Sequence, residues 1–253
     1  MDKKKEKQSG IPLVVIGLVL VAAVVVFAYC SNRPPVTPKP NTNGNSTPAP
    51  VKTPVANVNQ AGAVPPNMLG SPTATVTLEE FADFQCPACG QMYPVFHEIQ
   101  SMYGSRIKFI FRNFPLPMHD KAYDAATAAE AAGLQGSDKF WAMHSQLYTN
   151  QKIWSADPNY KQLFKDYAEK IGLDVNKFET DMVGLQTRNR IQADIERGKA
   201  LSVNTTPTLF VNGNDVPFAQ MTVPTLQKII DDAMKSPQSG QQPAQAAPAN
   251  GTK

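Results

Sequence analysis

The chain has 253 residues, 42% of them apolar, a net charge of +3 and only three cysteines. Three cysteines are too few to staple a small secreted scaffold with disulfides. The basic excess sits in the termini: residues 68–235 carry 16 Lys and Arg against 19 Asp and Glu, with no basic block, which argues against a nucleic-acid partner.

Residues 1–10 contain Lys3, Lys4, Lys5 and Lys7, and no charge follows until Arg33. The run Ile11 to Cys30 is long enough, as a helix, to cross a hydrocarbon core of about 30 Å. Lysines on its near side predict a cytoplasmic N-terminus and export of all that follows. A cleaved signal peptide is the alternative, with Val26 and Ala28 as a small-residue cleavage site. Its apolar region is ordinarily only about 7–15 residues, so the length favours a transmembrane signal anchor over 11–30. Cys30 follows Tyr29 rather than a small residue, so it reads as a passenger at the membrane edge and not as a lipid-attachment site. Residues 31–67 hold Pro34, Pro35, Pro38, Pro40, Pro48, Pro50, Pro54, Pro65 and Pro66, which predicts a disordered, extended spacer. Residues 236–253 read as a disordered tail.

The folded domain is expected over 68–235. Thr73 to Phe84 is rich in β-formers and predicts a strand ending just before Cys86. Strand alternation places Glu80 with Val76 and Leu78 on one face, and Glu79 with Asp83 on the other. Pro87 suits the first turn of a helix. That helix continues through Met92, Val95, Phe96, Ile99 and Met102 at helical spacing and closes at Gly104. Arg106 to Phe114 predicts a second strand, broken by PLPMHD. A helical block follows. Asp120 is placed to cap an alanine-rich helix over 122–133, and Phe140, Trp141, His144, Leu147 and Tyr148 mark the next. Asp157-Pro158 reads as a cap and first turn leading to Leu163, Phe164, Tyr167 and Ile171, with Gly172 ending the helix. Residues 174–181 and 185–200 also read as helical. Thr208 to Val211 predicts a strand, and Asn212-Gly213 a hairpin turn. A short strand near Phe218 and a last helix from Thr222 or Val223 through Met234 complete the order. The whole predicts an α/β sheet carrying an inserted helical subdomain.

The chemistry lies in Cys86-Pro87-Ala88-Cys89, at a strand-to-helix junction. Unpaired N–H groups and the dipole at a helix start favour an anion there, so a thiolate at Cys86 is stabilised. Cys89, one turn along, is placed to attack a mixed disulfide and release the substrate. Cys86 is therefore read as the exposed nucleophile and Cys89 as the buried resolving thiol. Two other readings fit a Cys-X-X-Cys. One is half of a zinc site, but no second pair follows and His97, His119 and His144 are widely spaced. The other is a structural disulfide, whose tiny loop would add little stability. The redox reading calls for no metal and no cofactor.

The segment LEEFADFQCPACG, with NTTPTLFVNG far downstream, resembles the thioredoxin superfamily and within it the DsbA-like proteins, over about 68–235. The resemblance implies a thioredoxin fold with a helical insertion at about 118–200 and a Cys86/Cys89 redox pair. It further implies a cis peptide bond before Pro207. Thr206 would offer its backbone to an extended substrate peptide. Glu80 would be a partly buried acid that takes a proton from the resolving thiol. The partners implied are thiols of exported proteins or peptides and a quinone-linked membrane protein of the DsbB or VKOR type. The expected function is thus an extracytoplasmic oxidoreductase that forms disulfides in exported proteins. A reductase or isomerase, or a non-catalytic peptide-binding or chaperone module, are the alternatives. The chain departs from the family at Ala88, where strongly oxidising members carry histidine, and this leaves the redox direction open. His97 reads as a partly exposed helix residue. His144, Trp141, Phe140 and Tyr148 read as packing of the insertion, and His119 as a neighbour of the Asp120 cap.

Overall fold

The computed structural model describes residues 61–235. The segment 11–30 read as a membrane anchor, the spacer up to 60 and the tail from 236 lie outside the described residues. Among the described residues no helix is long and apolar enough to cross a membrane.

Five strands form one sheet: β1 (Asn67–Gly70), β2 (Val76–Ala82), β3 (Ile107–Asn113), β4 (Thr208–Val211) and β5 (Asn214–Val216). Their order is β1-β3-β2-β4-β5, with β2 and β3 parallel and the other pairs antiparallel. A parallel pair needs a crossover, and α1 (Pro87–Tyr103) supplies it. Between β3 and β4 the chain builds the insertion: α2 (Ala122–Gly133), α3 (Ser137–Thr149), α4 (Gln151–Trp154), α5 (Tyr160–Lys170), α6 (Val175–Val183) and α7 (Leu185–Ala200). Helix α8 (Val223–Lys235) follows β5. This is the α/β fold with a helical insertion that the sequence predicts.

The alternation along β2 divides the core as expected. Val76 and Leu78 pack with Phe96 and Ile99 of α1, Phe111 of β3 and Leu226 and Ile230 of α8. Phe81 faces the other side, with Phe114, Val203 and Phe210. Its ring meets Phe114 and Phe210 edge-on, at 6.2 and 6.0 Å. Glu79 lies on that second face and is not left unpaired. Arg112 Nε donates to it at 2.8 Å and Arg197 Nη2 at 3.1 Å. Such pairing is what makes a carboxylate tolerable in a low dielectric. Asn212 and Gly213 have φ of +49° and +79°. Two consecutive positive values are what the tight hairpin turn requires, hence Asn-Gly.

Several boundaries differ from the sequence reading. Residues 61–67, assigned to the spacer, pack on the domain. Ala63 is buried, its N–H donates to Asp194 Oδ1 at 2.9 Å, and Arg112 donates to the carbonyls of Ala61 and Ala63. The latch consists of backbone groups claimed by distant side chains, which composition does not reveal. Asp120 does not cap α2: its carboxylate accepts from Gln85 Nε2 at 2.8 Å, and Lys121 holds the cap position. Asp157 accepts from Asn159 N–H at 2.7 Å in a turn, and α5 starts two residues beyond Pro158. The short strand expected near Phe218 is present as β5, and Phe218 itself lies in the 3-10 turn that follows it. The alanine-rich run is more than a good helix former. Ala125, Ala126, Ala128, Ala129, Ala131 and Ala132 are all buried, so small side chains let the neighbouring helices of the insertion close around α2.

Candidate active site

Strand β2 stops at Ala82, and a turn anchored by Asp83 aims the chain into α1. The Cys86 N–H donates to Asp83 O at 3.1 Å, and the Gln85 N–H to Asp83 Oδ1 at 2.7 Å. The other oxygen of this buried carboxylate accepts from Leu116 N–H at 2.9 Å and lies 2.6 Å from His119 Nδ1. Asp83 thus ties the segment after β3 to the active-site turn.

Cys86 takes the cap position of α1, with Pro87 in its first turn, as the sequence predicts. Both thiols are free. Cys86 is 7% exposed and Cys89 1%, so the nucleophile is better shielded than expected but remains the more accessible of the pair. The Cys86 thiol donates to Thr206 O at 3.4 Å. The Thr206–Pro207 peptide bond is cis. Chain segments 120 residues apart therefore meet at the sulfur.

The two thiols are driven apart electrostatically. Cys86 is lowered from 9.0 to about 5. The largest cause is a hydrogen bond from the Cys89 thiol, which outweighs the cost of burial. The Thr206 side chain and the N–H groups of Cys89 and Ala88 add to it. The helix-start amides therefore assist as expected, but the resolving thiol itself contributes most. Cys89 is held well above 9.0, first by burial, then by its hydrogen bond to Cys86 and by the Cys86 charge, with Glu80 contributing. Glu80 is 3% exposed, and burial alone pushes its carboxyl from 4.5 up to about 8. A thiolate, a high-affinity thiol and a carboxyl that titrates near neutrality form one unit suited to exchanging a disulfide and a proton. Among the described residues no cluster of three or more His, Cys, Asp or Glu could hold a metal ion.

Residue-by-residue, the structure brings Cys86, Cys89, Thr206 and Pro207 together and sets Glu80 behind them. It adds Gln151, which the sequence reading does not single out. Gln151 Nε2 donates to Phe84 O at 2.7 Å and to Cys86 O at 2.8 Å, so the insertion grips the helix start. Gly90 makes room for it: a Cβ there would lie 2.3 Å from Gln151 Oε1. Gly90→Ala should gain up to about 1 kcal/mol of helix propensity and lose two hydrogen bonds of about 1 kcal/mol each. The net cost in urea unfolding should be only about 1 kcal/mol, while exchange at Cys86 slows several-fold. Unchanged exchange would show that the Gln151 grip is dispensable.

The sequence model of the thioredoxin family matches residues 63–232. The chain belongs to this family. The relatives of the chain differ in length. The Na(+)/H(+) antiporter NhaA 1 of Mycolicibacterium gilvum is 37% identical over 147 residues, which cover 57% of this chain and 23% of that protein. The chain thus spans under a quarter of the length of the antiporters it matches. A probable disulfide bond formation protein D of Bacillus anthracis is 31% identical over 174 residues, covering 66% of this chain and 77% of that protein. The oxidised BdbD of Bacillus subtilis shares the fold, with a TM-score of 0.60 at 24% identity over 68% of this chain and 94% of that one.

Proposed function

We propose that the domain works outside the cytoplasmic membrane and introduces disulfides into exported proteins. The observation that carries this reading is the Cys86 sulfur, lowered to about 5 between Cys89 and Thr206. A stabilised thiolate favours the reduced pair, and a pair that prefers to be reduced is an oxidant. Alanine at position 88 supplies no imidazolium, and the Cys89 thiol is the largest stabiliser of the Cys86 thiolate. A substrate chain would lie along Thr206 and Pro207, pairing with the Thr206 backbone as a short added strand. A substrate thiolate attacks Cys86, the Cys86–Cys89 bond breaks, and Cys89 takes up a proton. A second substrate thiolate then displaces Cys86. Reoxidation would fall to a quinone-linked membrane partner of the DsbB or VKOR type. Export rests on the lysines at 3–7 and the apolar run 11–30. A membrane-impermeant maleimide should therefore label Cys86 in intact cells stripped of any outer layer; labelling only after lysis would refute this placement.

The pH dependence gives the decisive test of direction. The folded Cys86 lies below its ordinary value, so the extra stability of the reduced form is complete above about 9. It disappears as pH falls through about 5. Reduction takes up two protons below that point and one above it. Titration against glutathione should therefore show a potential falling by about 59 mV per pH unit below pH 5 and by about 30 mV above it. At neutral pH a value near about −120 mV, that of DsbA itself, is expected; one near about −270 mV, that of thioredoxin, would make the chain a reductant.

A further inference from the structure

The connection from β3 to α2, residues 114–121, is fastened to the active-site turn at two points. Gln85 holds its far end, accepting from the Lys121 N–H at 2.7 Å and donating to Asp120 Oδ1 at 2.8 Å. Asp83 holds its middle, where His119 Nδ1 lies 2.6 Å from Asp83 Oδ2. The Asp83 side chain is fully buried, whereas that of His119 is 20% exposed. The N–H groups of Gln85 and Leu116 already meet the two carboxylate oxygens, and such donors favour the ionised form. The shared proton therefore sits on Nδ1, and His119 is the donor. A buried carboxylate that loses a donor bears part of its desolvation cost again. His119 thus fixes where this side chain points.

We propose that His119 is a positioning residue for the redox pair: by pinning the Asp83 carboxylate, it holds the Asp83 main chain against both cysteines. The inference rests on the reading of Cys86 as a stabilised thiolate. The Asp83 carbonyl accepts from the Cys86 N–H at 3.1 Å. A backbone hydrogen bond with Asp83 also acts on Cys89, lowering it against the larger effect of burial. Only an N–H donor works in that direction. The Cys89 sulfur thus accepts from Asp83 while its own S–H donates to Cys86. Successive hydrogen bonds polarise one another. The Asp83 N–H therefore strengthens the donor that contributes most to the Cys86 thiolate. If Asp83 is free to turn, this chain of bonds loosens and the reduced pair loses stability. The disulfide form has no thiolate to stabilise and loses less. His119 acts through Asp83 and takes no part in bond making.

Titration of the full-length chain against glutathione tests this, read by mass mapping of the peptide that carries Cys86 and Cys89 so that Cys30 does not report. His119→Ala should move the equilibrium constant on the order of tenfold toward the disulfide, a potential lower by about 30 mV. The midpoint of Cys86 alkylation should rise with it. His119→Asn, whose amide can place an N–H where Nδ1–H stands, should restore most of both. Asp120→Ala frees the same connection from Gln85 without touching Asp83, and should leave both near the parent. A His119→Ala potential equal to the parent's, an Asn variant no better than Ala, or an equal shift in Asp120→Ala would each overturn the proposal. Should His119→Ala not fold, His119→Asn and His119→Gln carry the test, since only the shorter amide reaches the Nδ1 position; equal potentials in those two would overturn it. A parent Cys86 that alkylates with an ordinary thiol midpoint would instead sink the thiolate reading itself, whereas a low midpoint unmoved by His119→Ala sinks the positioning role alone.

Discussion

Cys89→Ser should accumulate a covalent adduct between Cys86 and a substrate thiol, whereas Cys86→Ser should exchange nothing. The asymmetry follows from the site. Cys86 is the thiol that ionises near 5, is the more accessible sulfur and faces Thr206 O. Cys89 is almost fully buried and is held protonated. Only a thiolate attacks a disulfide at a useful rate, so a substrate disulfide is attacked by Cys86 first, and within the protein only Cys89 can then release the adduct. Removing Cys89 carries a second effect. Its hydrogen bond is the largest cause of the Cys86 shift, so the Cys86 thiol in Cys89→Ser should depend on how well a serine hydroxyl replaces the Cys89 thiol as donor. In Cys89→Ala, which offers no donor, the midpoint of Cys86 alkylation should rise from about 5 toward the ordinary thiol value. Alkylation followed by peptide mapping checks both points. An adduct on Cys89, or a Cys89→Ala midpoint still near 5, would remove the resolving thiol from its assigned roles.

What the sequence makes legible here is local chemistry, and what it hides is long-range contact. The Pro87 helix start, the Asn212-Gly213 turn and the division of β2 into two faces each follow from one residue's conformational preference or from a period of two. The meeting of Cys86 with Thr206 was accessible only through the resemblance of two distant motifs. Gln151 was not legible at all. It is a polar residue at a break between α3 and α4, and its importance comes from two carbonyls it reaches more than 60 positions away. Asp120 shows the converse error: a good capping residue at a plausible position, drawn off by Gln85 across the fold. His144 reads as packing in the sequence, and so it is, but its Nε2 is buried with no hydrogen-bond partner among the described residues. Sequence patterns register which side chains are buried and are silent on which of their polar atoms remain unpaired.

Glu80→Gln should make the protein more stable at neutral pH and a much poorer catalyst. In the unfolded chain the carboxyl ionises at about 4.5; in the fold, burial moves this to about 8. The folded value is raised, so the carboxyl's contribution is most favourable below about 4.5 and is lost progressively as pH climbs toward 8. Each unit of that climb costs about 1.4 kcal/mol, so at pH 7 the penalty is roughly 3 kcal/mol. Glutamine has nearly the same shape and no charge to desolvate, and it removes the penalty. Urea unfolding should show Glu80→Gln ahead by roughly 3 kcal/mol at pH 7 and level with the parent near pH 4. The same change deletes the acceptor for the Cys89 proton, and loss of a positioned acid or base costs about 10²–10⁴-fold in rate. A carboxyl retained only for structure would not be destabilising at the pH where the protein works. A stability difference independent of pH would show that Glu80 does not titrate between 4.5 and 8, and the proton chemistry assigned to it would have no basis.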